Sequence, residues 1–274
     1  MNTTNVAITE EHHSSVIPTS HKELHRDLIL KGSAHLHGSG YGNNISVEAG
    51  NIIVEHGLFA YSDLTVVLED KASQSTIYSN LYAQKSVLVS AKSGGILRVC
   101  GSIIAEDINV ANTIVYGSIL GDRVRLKNSF VLGNAIAQDT MSAEDSLLGS
   151  FIGVDVELKN NVNLIEPYGI AKKNISISSP IGCYTLNNQL HKKSKYFLTQ
   201  DDVDEISGFE EDKPDVVYKV LSASNRYLKP GMITERLRRI EKEFEYLFDA
   251  IESKDLENVS KLEEPFWGII NNSS

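Results

Sequence analysis

Between Pro18 and Pro167 the chain contains no proline, and pairs of apolar residues separated by a single position recur along this stretch. Such a pair places both side chains on the same face of an extended strand. Without proline, every backbone N–H is available to hydrogen-bond a neighbouring strand. The stretch therefore predicts a series of short paired strands. The pairs are Leu28/Leu30, Ala34/Leu36, Ile45/Val47, Ile52/Val54, Leu58/Ala60, Leu64/Val66, Val87/Val89, Leu97/Val99, Ile108/Val110, Val124/Leu126, Val156/Leu158 and Val162/Leu164.

These strands are predicted to be only about three to five residues long, and the Asn-Gly and Asp-Gly turns typical of two-residue hairpins are absent. Strands this short bury their inward pairs best when consecutive coils stack on one another. The sequence therefore predicts a mainly β fold, a single-stranded parallel β-helix (β-solenoid), over residues 28–183. An irregular β-sandwich is the alternative.

The corners between the strands have a recurring composition. In residues 101–110 and 117–126 a small residue and an acid precede a strand at nearly the same offset, and the pattern recurs in residues 146–158. Glycine and asparagine tolerate the left-handed backbone that a tight corner requires. Aspartate and asparagine side chains can also hydrogen-bond the corner backbone. We therefore expect glycine, asparagine and aspartate at the corners of the coils.

The charge of the chain limits its partners. The 274 residues carry a net charge of −10, which argues against binding to the nucleic-acid backbone, because that partner requires a basic face. No stretch approaches the roughly 18 apolar residues of a membrane span, and Met1–Thr4 lacks the pattern of a signal peptide. We therefore expect a cytoplasmic protein that does not bind nucleic acid. Cys100 and Cys183 fit no metal-binding spacing and are expected to be reduced thiols.

Two segments flank the predicted solenoid. Residues 1–27 are polar and lack a sustained periodicity, which predicts a mobile arm. Residues 184–274 are more highly charged and predict a helical C-terminal region, with an amphipathic α-helix at about 232–252. The apolar residues of this helix are spaced alternately four and three apart, as in the seam of a coiled coil. The seam consists of Ile233, Leu237, Ile240, Phe244, Leu247 and Ile251.

Two roles are open for this seam. Basic residues lead the helix and acidic residues follow, an order that opposes the helix dipole, so the helix depends on packing for its stability. The seam either packs on the chain's own solenoid, along its side or closing its end, or binds a partner. That partner would be a second copy, another cytoskeletal protein or a membrane-associated protein.

From Leu28 to Ile170 the proline-poor series of coils resembles the bactofilins, polymer-forming cytoskeletal proteins built on a parallel β-helix. The flanking segments are longer, and the repeat less regular, than in that family. The resemblance implies a right-handed β-helix that assembles end to end without nucleotide, in a structural and non-enzymatic role.

Self-assembly of this kind requires matching ends. Open solenoid ends expose strand edges and apolar cross-sections that a second copy can cover. We therefore expect the chain to form a homopolymer or homo-oligomer through its solenoid ends. The residues expected at the ends are Leu28, Leu30 and Leu36 at one, and Val162, Leu164 and Ile165 at the other.

The alternative family is the left-handed hexapeptide-repeat β-helix of trimeric acyltransferases and sugar nucleotidyltransferases. Residues 118–126 and 147–164 show the near six-residue apolar spacing of that class. An acyltransferase of this kind needs a catalytic histidine at a coil corner, but no histidine lies between His56 and His191. A nucleotidyltransferase needs a preceding nucleotide-binding domain, and only the polar segment 1–27 precedes the coils.

Other catalytic motifs are missing from the sequence. There is no phosphate-binding G-x-x-x-x-G-K-[ST] motif, and residues 38–42 lack the third glycine of a dinucleotide fingerprint, so they predict a flexible corner. His12, His13, His21 and His25 lack a spacing that would direct them to one point and predict a solvated tail. We therefore predict no catalytic residue, no cofactor and no metal ion.

Overall fold

The computed structural model describes residues 5–20, 23–68, 73–92, 94–165, 168–178, 182–183, 219–220 and 245–271, which are mainly β-strands. The strands are β1 (Val6–Ile8), β2 (Glu11–His12), β3 (Leu28–Gly32), β4 (His35–Leu36), β5 (Gly40–Gly42), β6 (Ile45–Gly50), β7 (Ile53–Val54), β8 (Leu58–Ala60), β9 (Asp63–Leu68), β10 (Gln74–Ile77), β11 (Leu81–Ala83), β12 (Ser86–Ala91), β13 (Ile96–Val99), β14 (Ile103–Ile104), β15 (Asp107–Ala111), β16 (Ile114–Val115), β17 (Ile119–Lys127), β18 (Phe130–Glu144), β19 (Leu147–Lys159), β20 (Asn163–Leu164), β21 (Tyr168–Ile177), β22 (Gly182–Cys183) and β23 (Lys219–Val220). A 3-10 helix spans Glu23–His25, and the α-helices are α1 (Glu245–Glu252) and α2 (Leu256–Asn271). The chain divides into two compact units, Met1–Gly133 and Asn134–Ser274.

The strands of the first unit stack in three columns, which are the three faces of a parallel β-solenoid. On the first face, β1, β3, β6, β9, β12, β15 and the second half of β17 pair in that order. The second face consists of β2, β4, β7, β10, β13, β16 and the start of β18. The third face consists of β5, β8, β11, β14 and the start of β17. Every one of these pairings is parallel, so the predicted β-solenoid is confirmed.

The core of the solenoid is formed by the apolar pairs of the sequence pattern. Each of the predicted pairs, from Leu28/Leu30 to Val162/Leu164, is buried. Along β9 the burial alternates strictly, with Leu64, Val66 and Leu68 inside. This alternation follows from the pleat of a strand, in which successive side chains point to opposite faces. The inward pairs therefore supply most of the hydrophobic stabilisation of the coils.

Coil length varies along the first unit. Leu28 pairs with Ile45, which lies 17 residues further on, while Leu64 pairs with Val87, which lies 23 residues further on. Later coils shorten to 16 residues, the separation of Asp107 from its register partner Arg123. The strands keep their register because the length differences fall in the corners between them.

The corners after β15 and β17 are turned by asparagines in the left-handed region, Asn112 at φ 51° and Asn128 at φ 48°. The Nδ2 amide of Asn128 donates to Asn112 Oδ1 at 2.6 Å, and Asn112 Nδ2 donates to the carbonyl oxygen of Ala91 at 2.7 Å. Asparagine tolerates this backbone because its short polar side chain can hydrogen-bond locally. The prediction that asparagine turns the corners is confirmed at these positions.

The structure departs from the predicted arm at the start of the chain. Strand β1 pairs with β3, Val6 opposite Leu28, and β2 pairs with β4, Glu11 opposite His35. Val16 forms a parallel bridge with Gly40, so residues 6–16 already contribute to all three faces of the solenoid. Strands of two or three residues are too short to show a period in the sequence. The sequence pattern therefore does not predict this first coil.

The predicted flexible corner at residues 38–42 is also different in the structure, because Gly40–Gly42 is strand β5. Gly38 is buried, and a Cβ atom there would lie 2.4 Å from the backbone nitrogen of Ser15. Ser39 N donates to Ser15 Oγ at 2.9 Å. Glycine is therefore required at position 38 so that the first two coils can approach this closely.

The second unit also contains parallel strand pairs. Strand β19 pairs with β20 and β21 in parallel, and β20 pairs in parallel with β22. An exception is β23, which is antiparallel to β21. The corners again use left-handed residues, Asp145 at φ 47° and Asn160 at φ 56°.

The C-terminal helices α1 and α2 pack on each other, and α2 contacts β19. Leu247, Ala250 and Val259 are buried in this arrangement. Of the predicted seam, Leu247 is buried and Ile251 is half-buried, while Ile233, Leu237, Ile240 and Phe244 lie outside the described residues. No helix within the described ranges is long and apolar enough to cross a membrane.

Candidate functional site

The residues expected at the first solenoid end lie inside the first unit. Leu28 is in register with Val6 on one side and Ile45 on the other, and Leu30 is enclosed in the same way. Leu36 is paired with His12 and Val54. All three leucines are buried, because the unexpected first coil covers them. The structure therefore does not place this set at an exposed end.

The residues expected at the other end lie inside the second unit. Leu164 is in register with Leu148 and with Cys183, so strands flank it on both sides. Val162, Leu164 and Ile165 are all buried. Neither predicted set offers an exposed surface for a second copy.

The third face of the first unit carries a different apolar surface, which we call the apolar column. The strands of this face point their first and third residues inward and their central residue outward. The outward residues are stacked in register from coil to coil. The bridge between Val16 and Gly40 adds Ile17 one coil earlier. The apolar column consists of Ile17, Tyr41, Phe59, Tyr82, Ile104 and Leu120.

Most of this column is open to solvent. Ile17 is 56% exposed, Tyr82 is 42% exposed, and Ile104 and Leu120 are each 37% exposed. The rings of Tyr41 and Phe59 are stacked, with centroids 4.8 Å apart and planes 15° from parallel. Tyr41 and Phe59 are half-buried. A continuous row of exposed and half-buried aromatic and aliphatic side chains is characteristic of an interaction surface rather than of scattered surface residues.

The residues beside the column are uncharged over several coils. The flanking residues at β5, β8 and β11 are Ser39, Asn43, Gly57, Tyr61, Asn80 and Gln84. Acidic residues flank it further on, where Glu106 follows β14 and Asp122 lies within β17. The core of a protein–protein interface is typically depleted of charge and enriched in tyrosine and phenylalanine. At β5, β8 and β11 the apolar column has both properties.

The sequence contains a signal for this column that is separate from the inward pairs. The residue between the two members of a pair is usually polar, as Thr65 is between Leu64 and Val66. In Leu58/Ala60 that central residue is Phe59, an apolar side chain at a position that must point outward. Apolar central residues in successive third-face strands therefore indicate a surface rather than core.

A second group of side chains meets at the corner after β4, where we define the His–Glu cluster as Glu11, His13, His35, His37 and Glu55. His13, His37 and Glu55 follow strands β2, β4 and β7, which are stacked in register on the second face. His35 Nε2 lies 3.0 Å from Glu55 Oε1, and His37 Nδ1 lies 3.1 Å from the same oxygen. The ring of His37 is stacked between those of His35 and His13, with centroid separations of 3.9 and 4.9 Å.

The other nitrogen of His37 has its own carboxylate partner. His37 Nε2 lies 2.9 Å from Glu11 Oε1. This hydrogen bond, together with the nearby His13, holds the pKa of Glu11 below its usual value. Glu11 is therefore ionised at neutral pH. The side chain of His37 thus bridges two carboxylates that belong to different coils.

Tyr78 lies beside the cluster on the next coil. Ile77 pairs with Val54, and the residues that follow this pair are Tyr78 on one strand and Glu55 on the other. Burial, with smaller contributions from Cys100 and Glu55, raises the pKa of Tyr78 to about 12. Its hydroxyl therefore stays protonated at neutral pH and can donate a hydrogen bond.

Sequence reasoning did not bring this cluster together. The sequence pattern predicts a solvated tail at His13, and the intervals between His35, His37 and Glu55 match no metal-binding motif. His12 lies on β2 near Ser14, His25 ends the 3-10 helix, and His21 lies outside the described residues.

The chain matches no protein-family model, and no characterised protein or solved structure shows significant similarity to it.

Proposed function

We propose that this chain is a non-enzymatic structural scaffold whose β-solenoid self-associates without nucleotide, the role suggested by its resemblance to the bactofilins. The observation that carries the proposal is the apolar column, because its outward apolar side chains are aligned over six consecutive coils and have uncharged neighbours at β5, β8 and β11. A solenoid core needs only inward-pointing residues, so outward apolar side chains in register serve contact with another surface.

A second copy of the chain fits this surface by symmetry. In a twofold interface the same patch is used by both subunits, so a patch must be complementary to itself. A row of tyrosine, phenylalanine, isoleucine and leucine without flanking charge at β5, β8 and β11 satisfies that condition, since no like charges are brought together.

End-to-end growth would use a different part of the first unit. Among the described residues, β3 is the only strand that pairs with β1. The backbone N–H and C=O groups on the outer edge of β1 would accept another parallel strand. Self-association through the column and growth at the β1 edge are compatible, because they use different faces of the unit.

The experiment compares three leucine or isoleucine positions of equal exposure. Ile104 and Leu120 belong to the column, and Leu88 lies on the first face between Thr65 and Asn109; each of the three is 37% exposed. Sedimentation velocity and electron microscopy of the purified protein without nucleotide should show oligomers or polymers. The double variant Ile104→Asp/Leu120→Asp should be monomeric with an unchanged β-type circular dichroism spectrum. Leu88→Asp should assemble normally.

Two results would contradict the proposal. The wild-type protein could remain monomeric at every concentration, or Leu88→Asp could disperse the assemblies as strongly as the column variants do. Compact threefold particles would instead favour the alternative function, a hexapeptide-repeat acyl- or nucleotidyltransferase. A solenoid of parallel coils is compatible with that class as well.

A further inference from the structure

The geometry of the His–Glu cluster suits a first-row transition metal. Glu55 Oε1, His35 Nε2 and His37 Nδ1 converge, with the oxygen 3.0 Å and 3.1 Å from the two nitrogens. Zinc bonds of 2.0–2.1 Å in a tetrahedral site place ligand atoms about 3.3 Å apart. The two N–O distances are therefore only a few tenths of an ångström shorter than in such a site, and the stacked rings of His35 and His37 would have to rotate so that both nitrogens face one ion. The candidate ligand atoms of His35, His37 and Glu55 all lie within 4.8 Å of one another.

The second nitrogen of His37 is already placed as it is in known zinc sites. A metal-ligating histidine usually donates its other N–H to a carboxylate, which fixes the ring and its tautomer. Glu11 Oε1 lies 2.9 Å from His37 Nε2 and supplies that carboxylate. When Nε2 carries the proton, Nδ1 is left to bind a metal. Glu11 would therefore orient His37 without binding the ion itself.

We propose that His35 Nε2, His37 Nδ1 and Glu55 Oε1 bind one Zn²⁺ ion, with Glu11 as the positioning residue for His37 and water as the fourth ligand. The side chains of His35, His37 and Glu55 are 30%, 28% and 20% exposed, so solvent reaches the site while most of each ligand is held by the fold. Two imidazoles and one carboxylate favour zinc over Mg²⁺ and Ca²⁺, which prefer oxygen ligands.

The position of the site gives it a structural consequence. His35 and His37 belong to the coil that begins with β3, Glu55 belongs to the next coil, and Glu11 belongs to the preceding one. An ion bound there would tie consecutive coils together at the N-terminal part of the first unit. The proposal does not depend on self-association, since no residue of the cluster belongs to the apolar column.

The test measures Zn²⁺ binding to the full chain after chelation, by calorimetry and by metal analysis. We expect one zinc ion per chain, no response to Mg²⁺, and a rise in melting temperature of roughly 5–10 °C when free Zn²⁺ reaches about a hundred times Kd. His37→Ala, His35→Ala and Glu55→Gln should each weaken binding more than tenfold. Glu11→Gln should weaken it about 10- to 100-fold while the stoichiometry stays at one.

Two matched histidine variants serve as controls. His56→Ala removes an exposed neighbour of Glu55 that is outside the cluster, and His13→Ala removes the stacked histidine of the outer triad of Glu11, His13 and His37. Both should bind zinc within about threefold of wild type. Circular dichroism without metal establishes that each variant is folded, and the visible spectrum of bound Co²⁺ reports tetrahedral coordination independently of stability. Normal zinc binding by folded His35→Ala and Glu55→Gln would overturn the proposal, as would loss of binding in His13→Ala equal to that in His37→Ala.

Discussion

The corner at Asn128 allows the backbone and side-chain contributions of one residue to be measured separately. Asn128 has φ 48°, and its Nδ2 amide donates to Asn112 Oδ1 at 2.6 Å. Alanine at this position would lose the hydrogen bond and would also have to adopt the left-handed backbone without a polar side chain to support it. Glycine would lose the same hydrogen bond but would adopt that backbone without strain.

The magnitudes follow from these two contributions. The hydrogen bond contributes about 1 kcal/mol to the free energy of unfolding. The left-handed backbone costs alanine roughly another 1 kcal/mol. We therefore expect Asn128→Ala to destabilise the protein by about 2 kcal/mol and Asn128→Gly by about 1 kcal/mol. In melting temperature the alanine variant should lie below the glycine variant by roughly 2–4 °C.

Asn109 provides the matched control, because it is an exposed asparagine in the middle of strand β15. In a strand interior glycine is less stable than alanine by about 0.5–1 kcal/mol, so the order should reverse. Thermal melts followed by circular dichroism would measure both pairs of variants. If glycine is no better than alanine at position 128, or if the two positions show the same order, the argument from backbone conformation is refuted.

Three further predictions concern the core, the surface charges and the C-terminal helices. Val110→Asp or Leu126→Asp should abolish the β-type circular dichroism spectrum, because both residues are buried and an unpaired buried carboxylate costs several kcal/mol. A bidentate hydrogen bond from Arg123 lowers the pKa of Asp107, so this pair stabilises the folded state at neutral pH and ceases to do so as the pH falls from about 4 through the lowered pKa. Asp107→Asn should therefore reduce the loss of melting temperature in acid by an amount equivalent to no more than about 1 kcal/mol, since the pair is partly exposed. Deleting residues 245–271 should lower the melting temperature or cause aggregation, because Leu247 and Val259 are buried where these helices pack; an unchanged melt would contradict that role.

The inward half of the solenoid was predictable from the sequence because it depends on local rules. Alternation with a period of two identifies buried residues such as Val87 and Val89 without knowledge of their neighbours. The corner asparagines follow from the backbone they must adopt. The first coil was not predictable, since Val6–Ile8 and Glu11–His12 are too short to show a period and most of their residues are polar.

The outward surfaces were not predictable because they depend on the register between coils. His35 and Glu55 are 20 residues apart in the sequence, and Glu11 and His37 are 26 residues apart. Neither interval corresponds to a recognised ligand spacing. Both separations arise from coils whose lengths differ, so they can be known only once the strands are paired. Phe59 and Tyr82 are neighbours in the apolar column for the same reason.

Stability and surface contacts depend on different side chains of this fold. Inward side chains hold the coils together, and a change there affects stability first. Outward side chains contribute little to the core, so the sequence can place an apolar row on the third face and a His–Glu cluster on the second without weakening it. Because strand pairing repeats on every coil, a residue type that recurs at the same outward position becomes a continuous surface. Variants of Tyr82 or Ile104 should therefore alter association far more than they alter the melting temperature, whereas variants of their inward neighbours Leu81 and Ile103 should do the reverse.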